Sequence, residues 1–359
     1  MKKKIWIIAL VCLLILIPMA VYGVDLFSTQ NIPKDHPAKE AVEQAEAFMR
    51  ELNEKSVEEL LTEIEEKKLD YNEEAMPYAI ALRIKENERD SLFWAGLVLD
   101  DKRPAVTRML AIELLYDNLR VERVSDELNE KVFALIYDNN VEIRIREQLL
   151  NFSAPKDSGV LKEIALNAEP NMSFIAIRRL YQTYPGEFQV VLNTILNDSD
   201  KQPLERLRGA VLYGGPALRS ASLQEQEKFL SICKELFAKV DSQEFRDSIA
   251  YALGDMNCWN ALRYLLSNDK IDRLVKLRCV YESYPVIEQK LADEKLSEAD
   301  LQVALESMEV NPIDNCLPYL KKQVERLEKA KTSPELVAQG KRVCELVEKE
   351  GIMHVDKHK

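Results

Sequence analysis

Apolar residues in this chain recur three and four positions apart, the period of helices that bury one face, and show little of the alternation expected of strands. Ala41, Val42, Ala45, Phe48, Met49 and Leu52 keep that spacing, as do Val57, Leu60, Leu61 and Ile64 behind a Ser56/Glu59 capping box. Beyond Asp70 the pattern becomes a series of helical segments with breaks at 100–104, 138–140, 168–171, 197–203, 240–242 and 268–272. Several breaks share a composition: Asp100-Asp101-Lys102-Arg103-Pro104, Asp138-Asn139-Asn140, Asn197-Asp198-Ser199-Asp200 and Asn268-Asp269-Lys270. Asp and Asn suit such places because their side chains end one helix and cap the next. Three more helices are expected at the C-terminal end: 297–308 with a Ser297/Asp300 capping box, 313–330, and 333–350 with Ser333 as cap and Pro334 in the first turn.

The breaks return every 30 to 40 residues, a period expected of stacked helical hairpins, none of which buries its apolar face alone. An internal match supports it. Residues 171–185 and 271–285 align without a gap, pairing Arg178, Tyr181, Tyr184 and Pro185 with Arg278, Tyr281, Tyr284 and Pro285. Segments 203–216 and 244–255 keep the Arg, the small residue and the Leu at similar places. On these residues the chain resembles the HEAT-repeat and armadillo-like superfamily, in which a turn Asp or Asn precedes a second helix of the type V-R-x-x-A-x-x-x-L. Residues 104–115, PAVTRMLAIELL, are its best copy here. The resemblance covers about residues 90–295 and implies an all-α fold, an α-solenoid of stacked antiparallel helical hairpins. It also implies that Arg108, Arg144, Arg206 and Arg246 occupy equivalent places on successive second helices. Such arginines either line one concave groove or bond turn carboxylates and terminal carbonyls of a neighbouring repeat as an internal ladder.

Ahead of the helices, Lys2, Lys3 and Lys4 precede an uncharged run from Ile5 to Gly23, the layout of a signal peptide. Its 19 residues are close to a bilayer span, so a retained signal anchor is the other reading; Pro18 favours cleavage after Gly23. Either way the expectation is an exported protein, in the cell envelope or secreted, touching a membrane only through residues 5–23. The expected organisation is then signal or anchor (1–23), linker (24–37), N-terminal helical cap (38–99), helical repeats (100–295), C-terminal helical cap (296–350) and tail (351–359).

Charge and chemistry narrow the function further. With 49 basic and 61 acidic side chains the net charge is −12, which argues against a nucleic-acid partner. Downstream of the apolar run, Cys233, Cys258, Cys279, Cys316 and Cys344 follow no CxxC spacing, and His36, His354 and His358 lie in the two tails. No metal site or cofactor is expected from them; the thiols of Cys233 and Cys279 fall within apolar stripes, where burial is the ordinary reading and a disulfide the other. No nucleophile elbow, phosphate loop or dinucleotide fingerprint occurs. Asp247, Asp255 and Glu282 are nominal catalytic carboxylates with nothing to distinguish them from a solvated face. The expectation is a non-enzymatic scaffold that binds a protein, peptide or envelope component. The alternative is an enzyme or ligand carrier with a pocket near residues 210–220 and 255–265, where Gly214, Gly215, Pro216, Trp259 and Tyr264 interrupt the pattern.

Overall fold

A computed structural model of the protein describes residues 47–48, 50–67, 89–116, 125–152, 157–331 and 333–353. The signal or anchor, the linker, most of the helix expected at 41–52, residues 68–88 and the tail from 354 onward lie outside the described residues. Within them the secondary structure is helical, apart from a single bridge between Ile313 and Ile352. None of these helices is long and apolar enough to cross a membrane. The chain divides into two compact units, Met1–Pro155 and Lys156–Lys359, a boundary that falls inside the stretch read from the sequence as one repeat block.

The first unit contains α1 (Val57–Lys67), α2 (Ser91–Leu99), α3 (Ala105–Tyr116), α4 (Asp126–Ala134) and α5 (Ile143–Phe152). Helix α1 buries Val57, Leu60, Leu61 and Ile64, the stripe its spacing predicts. Its capping box is complete: the Ser56 amide donates to Glu59 Oε2 at 2.7 Å and the Glu59 amide to Ser56 Oγ at 3.3 Å. Helix α3 packs against α1, α2 and α5, and α2 packs against α4. That central position explains why α3 is apolar around most of its circumference, from Val106 to Leu115.

The second unit holds twelve helices: α6 (Ser158–Asn167), α7 (Pro170–Thr183), α8 (Pro185–Asn197), α9 (Leu204–Ala217), α10 (Leu223–Lys239), α11 (Gln243–Asp255), α12 (Trp259–Ser267), α13 (Arg273–Glu282), α14 (Tyr284–Ala292), α15 (Glu298–Val310), α16 (Leu317–Ala330) and α17 (Pro334–Glu350). Consecutive helices pair: α6 with α7, α8 with α9, and so on to α16 with α17. The second members also touch in sequence, α7 to α9, α9 to α11, α11 to α13, α13 to α15 and α15 to α17, so they form one row. The same pairing runs past residue 295, where the sequence pattern suggested a separate cap.

Two features set how close that row packs. Gly215 of α9 lies against α11 so tightly that an added Cβ would stand 2.0 Å from the Ala252 carbonyl oxygen. Gly254 of α11 meets Cys279 of α13, where a Cβ would come within 3.0 Å of the Cys279 Cα. Glycine interrupts the apolar pattern at these points because only a missing side chain lets the helix backbones approach.

Two of the corners between pairs are a single residue long, and they account for the internal sequence match. Tyr184 alone, at φ −134 and ψ 68, separates α7 from α8, and Pro185 opens α8. Ser283 alone separates α13 from α14, which begins Tyr284-Pro285. Proline costs nothing at a helix start, where its absent N–H would have no partner, and its fixed φ suits the first turn. Neighbouring corners are tied to one another. The Arg219 Nε donates to the Asp255 carbonyl at 3.0 Å, the Ser283 hydroxyl to the Gly254 carbonyl at 3.3 Å, and the Val286 amide to Asn257 Oδ1 at 3.2 Å. Asn257 holds a left-handed φ of 55, which asparagine tolerates better than most residues. Asn257→Gly should lose the bond to Val286 alone, whereas Asn257→Ala should cost about 1 kcal/mol more because its Cβ resists that φ. Urea midpoints of the two variants check the order.

At the C-terminal end Leu320, Val324 and Leu327 of α16 and Leu336, Val343 and Val347 of α17 are buried, giving each helix one apolar face, with Leu317 and Leu346 half-buried. Ser333 does not cap α17: it sits at φ 40 without a cap bond and its hydroxyl donates to Glu298 instead. The helix expected from 313 begins at Leu317, after a 3-10 turn over Asp314–Cys316.

Candidate functional site

The Asp/Asn breaks turn out to share geometry as well as composition. Asp100, Asp138 and Asn268 each accept, through a side-chain oxygen, the amide two residues on: Lys102 at 3.1 Å, Asn140 at 2.9 Å and Lys270 at 3.0 Å. Eight residues after each stands a cation that reaches back to a carbonyl at or just past the end of the preceding helix. Arg108 Nε donates to Val98 at 2.9 Å, Arg146 Nε to Ile136 at 2.9 Å, and Lys276 Nζ to Leu266 at 2.9 Å. Val98 and Leu266 lie in the last turns of α2 and α12, where carbonyls have no intrahelical partner, and Ile136 lies in the turn that follows α4.

The four arginines aligned from sequence therefore have different surroundings. Arg108 is buried, and its burial lowers the guanidinium pKa against the opposing pull of Asp101 and Asp100. Arg144 is exposed, and the position equivalent to Arg108 is taken by Arg146, two residues further on. Arg206 is buried and donates to Ser173 Oγ at 2.9 Å and to the Ala168 carbonyl at 2.8 Å, both in the preceding pair; burial lowers its pKa too. Arg246 is half-buried, with its guanidinium 5.8 Å from the centre of the Phe237 ring. The signal missed was the spacing from the turn Asp or Asn, which separates Arg146 from Arg144 where the V-R pattern does not.

Along the row of second helices, one side of each remains outward. On α7 and α9 it carries a cation–aromatic cluster. The Arg208 guanidinium lies 5.4 Å from the Phe174 ring centre while pairing with Glu205 at 3.0 Å and, across to α11, with Glu244 at 2.6 Å. Tyr213 stacks at 5.4 Å from Tyr181 and 6.0 Å from Phe174. Burial raises the Tyr213 pKa, and the charges of Arg178 and Arg208 oppose that shift. On α11 the outward residues Asp247, Tyr251 and Asp255 follow one another at a spacing of four, and Arg278 of α13 lies 4.4 Å over the Tyr251 ring. The exposed residues on α13 are Arg273, Leu274, Leu277 and Arg278, with Tyr281 half-buried beside them.

The three nominal carboxylates lie along this side without forming a cluster: Asp247 and Asp255 are two turns apart on α11, and Glu282 ends α13. Burial pushes the Cys279 thiol up to about 12, and Asp255, Glu282 and Asp247 all lie near enough to push it further, against Arg278. Cys233, Cys258, Cys279, Cys316 and Cys344 are all buried and free. Among the described residues no three His, Cys, Asp or Glu side chains are grouped to hold a metal ion. The glycines that interrupt α9 are filled by packing: Gly214 faces Leu192 and the Phe229 ring, and Gly215 faces Ala252. A shallow hollow of about 380 Å³ lies instead between the start of α13 and the end of α15, lined by Leu266, Ile271, Arg273, Lys276, Glu306, Glu309 and Val310. No protein-family model matches the chain, and no curated protein or solved structure shows significant similarity to it.

Proposed function

We propose that the protein is a non-enzymatic, exported helical-repeat scaffold, an α-solenoid of HEAT/armadillo type over its second unit, which binds a protein or peptide. The observation that supports this most directly is the row α7–α9–α11–α13–α15–α17, in which each second helix touches the next. In solenoids such a row forms the extended face used for binding. Here it presents arginine–aromatic pairs, Arg208 with Phe174 and Arg278 with Tyr251, of the kind enriched at protein interfaces. Export enters through the Lys-rich start and the uncharged run to Gly23.

Site-specific photo-crosslinking in the source cells tests the binding face. A photoreactive residue at Leu212 on α9 or Leu274 on α13 should trap the same partner, whereas one at the exposed Ser231 on α10 should trap none. Equal trapping from Ser231, or none from either row position, would overturn the reading.

A further inference from the structure

Helix α13 has more apolar surface than its packing uses. It buries Val275, Cys279 and Val280, yet Leu274 and Leu277 remain 75% and 39% exposed. Leu274 is the most exposed large apolar side chain among the described residues. Two leucines side by side on one helix, left in water, mark an interaction surface better than scattered single residues do.

Carboxylates flank this ridge on both sides. Towards α11 stand Asp247 and Asp255, two turns apart on that helix, and Glu282 at the end of α13. Towards α15 stand Glu306 and Glu309, across the hollow. Three cations of α13 stand among these five carboxylates: Arg273, exposed beside Leu274 and lining the hollow, Lys276, which donates to the Leu266 carbonyl, and Arg278, which covers Tyr251, so the acidic groups remain in excess. The whole chain carries a net −12, so its field favours the same sign of partner.

Building on the binding face proposed above, we infer that α11, α13 and α15 dock a cationic peptide segment of a protein partner, its aliphatic side chains on Leu274 and Leu277 and its Lys or Arg side chains on the flanking carboxylates. Apolar anchors supply the affinity, and the carboxylates supply orientation and on-rate.

Fluorescence anisotropy on the full chain provides the test, with a synthetic Leu/Lys amphipathic peptide and a Leu/Glu peptide of identical leucine pattern as probes. The Leu/Lys peptide should bind and the Leu/Glu peptide should not. Leu274→Ser should weaken binding about tenfold, while Leu223→Ser, at a leucine 61% exposed on α10, should leave it unchanged. The pair Asp247→Asn with Glu282→Gln should weaken binding and flatten its dependence on salt. A benzophenone at the centre of the peptide should crosslink to α11 or α13. Equal binding of the Leu/Glu peptide, insensitivity to Leu274→Ser, or crosslinks confined to other helices would overturn the inference. If the cellular crosslinks from Leu212 and Leu274 persist while the Leu/Lys peptide fails to bind, the face stands and the cationic partner falls. Circular dichroism of each variant verifies that the helices are retained.

Discussion

Gly215→Ala is expected to lower the stability of the second unit by about 3 kcal/mol, the upper end of what overpacking costs. The added methyl would meet backbone: the Ala252 carbonyl oxygen at 2.0 Å, its carbon at 2.5 Å and the Ala252 Cα at 2.7 Å. Backbone in the middle of α11 cannot turn aside as a side chain can, so α9 and α11 must separate. Separation would then be felt by the Arg208–Glu244 pair and by the Arg219–Asp255 bond, which span the same two helices. Gly214→Ala is the instructive neighbour, since its closest contacts are the Phe229 ring at 2.8 Å and the Leu192 Cδ1 at 3.0 Å, side chains with some room to give. Gly96→Ala in α2 should behave oppositely, because nothing lies within 4 Å of its Cβ position. There the helix propensity of alanine should add about 0.5–1 kcal/mol. Urea unfolding followed by circular dichroism reads all three as shifts of the midpoint at constant slope. An unchanged midpoint for Gly215→Ala would mean that α9 and α11 stand further apart than described.

Arg146→Met should cost about 1–3 kcal/mol, because it removes the buried bond from the Arg146 Nε to the Ile136 carbonyl while preserving most of the aliphatic volume. Arg144→Met, two residues away on an exposed face, should change stability by less than about 0.5 kcal/mol. The contrast is sharp because the two arginines lie on one helix and differ only in the side they present. Hydrogen exchange localises the effect: loss of Arg146 should lower protection at the end of α4 and the start of α5 before the rest of the first unit. Equal effects of the two substitutions would overturn the turn geometry assigned to Asp138, Asn140 and Arg146.

Much of the helical architecture was legible because it rests on period and on caps. The stripe of α1 lies buried where its spacing put it and the Ser56/Glu59 box forms as written, while Ser297 caps α15 through the Asp300 amide alone, without the reciprocal bond to its own backbone. Ser333 shows the limit: a serine before proline reads as a cap, yet here a contact with Glu298, more than thirty residues away, sets its conformation. Glycine shows it again. Gly214 and Gly215 suggested an irregular segment around a pocket, but an interruption in an apolar pattern looks the same whether it admits a ligand or a neighbouring helix. The arginine alignment picked out Arg108 and Arg206, which reach carbonyls of neighbouring turns, but left open whether they lined a groove, and it missed Arg146 because a degenerate V-R pair does not fix register to two residues. The outward side of the row was the least legible, since it depends on which helices become neighbours and local sequence carries no record of that.

The corners at Tyr184-Pro185 and at Ser283-Tyr284-Pro285 leave no spare chain between helices. A single inserted residue there would rotate the following helix by about 100° relative to the one before it. In α8 that would swing Phe188, Val191, Leu192 and Ile195 away from the interior, and in α14 it would swing Ile287 and Leu291. Length variation is therefore barred at these two corners and must be absorbed in looser turns, such as 198–203 and 268–272 within pairs. Viable insertions should map to those turns, and changes at the corners should arrive only as whole helix pairs.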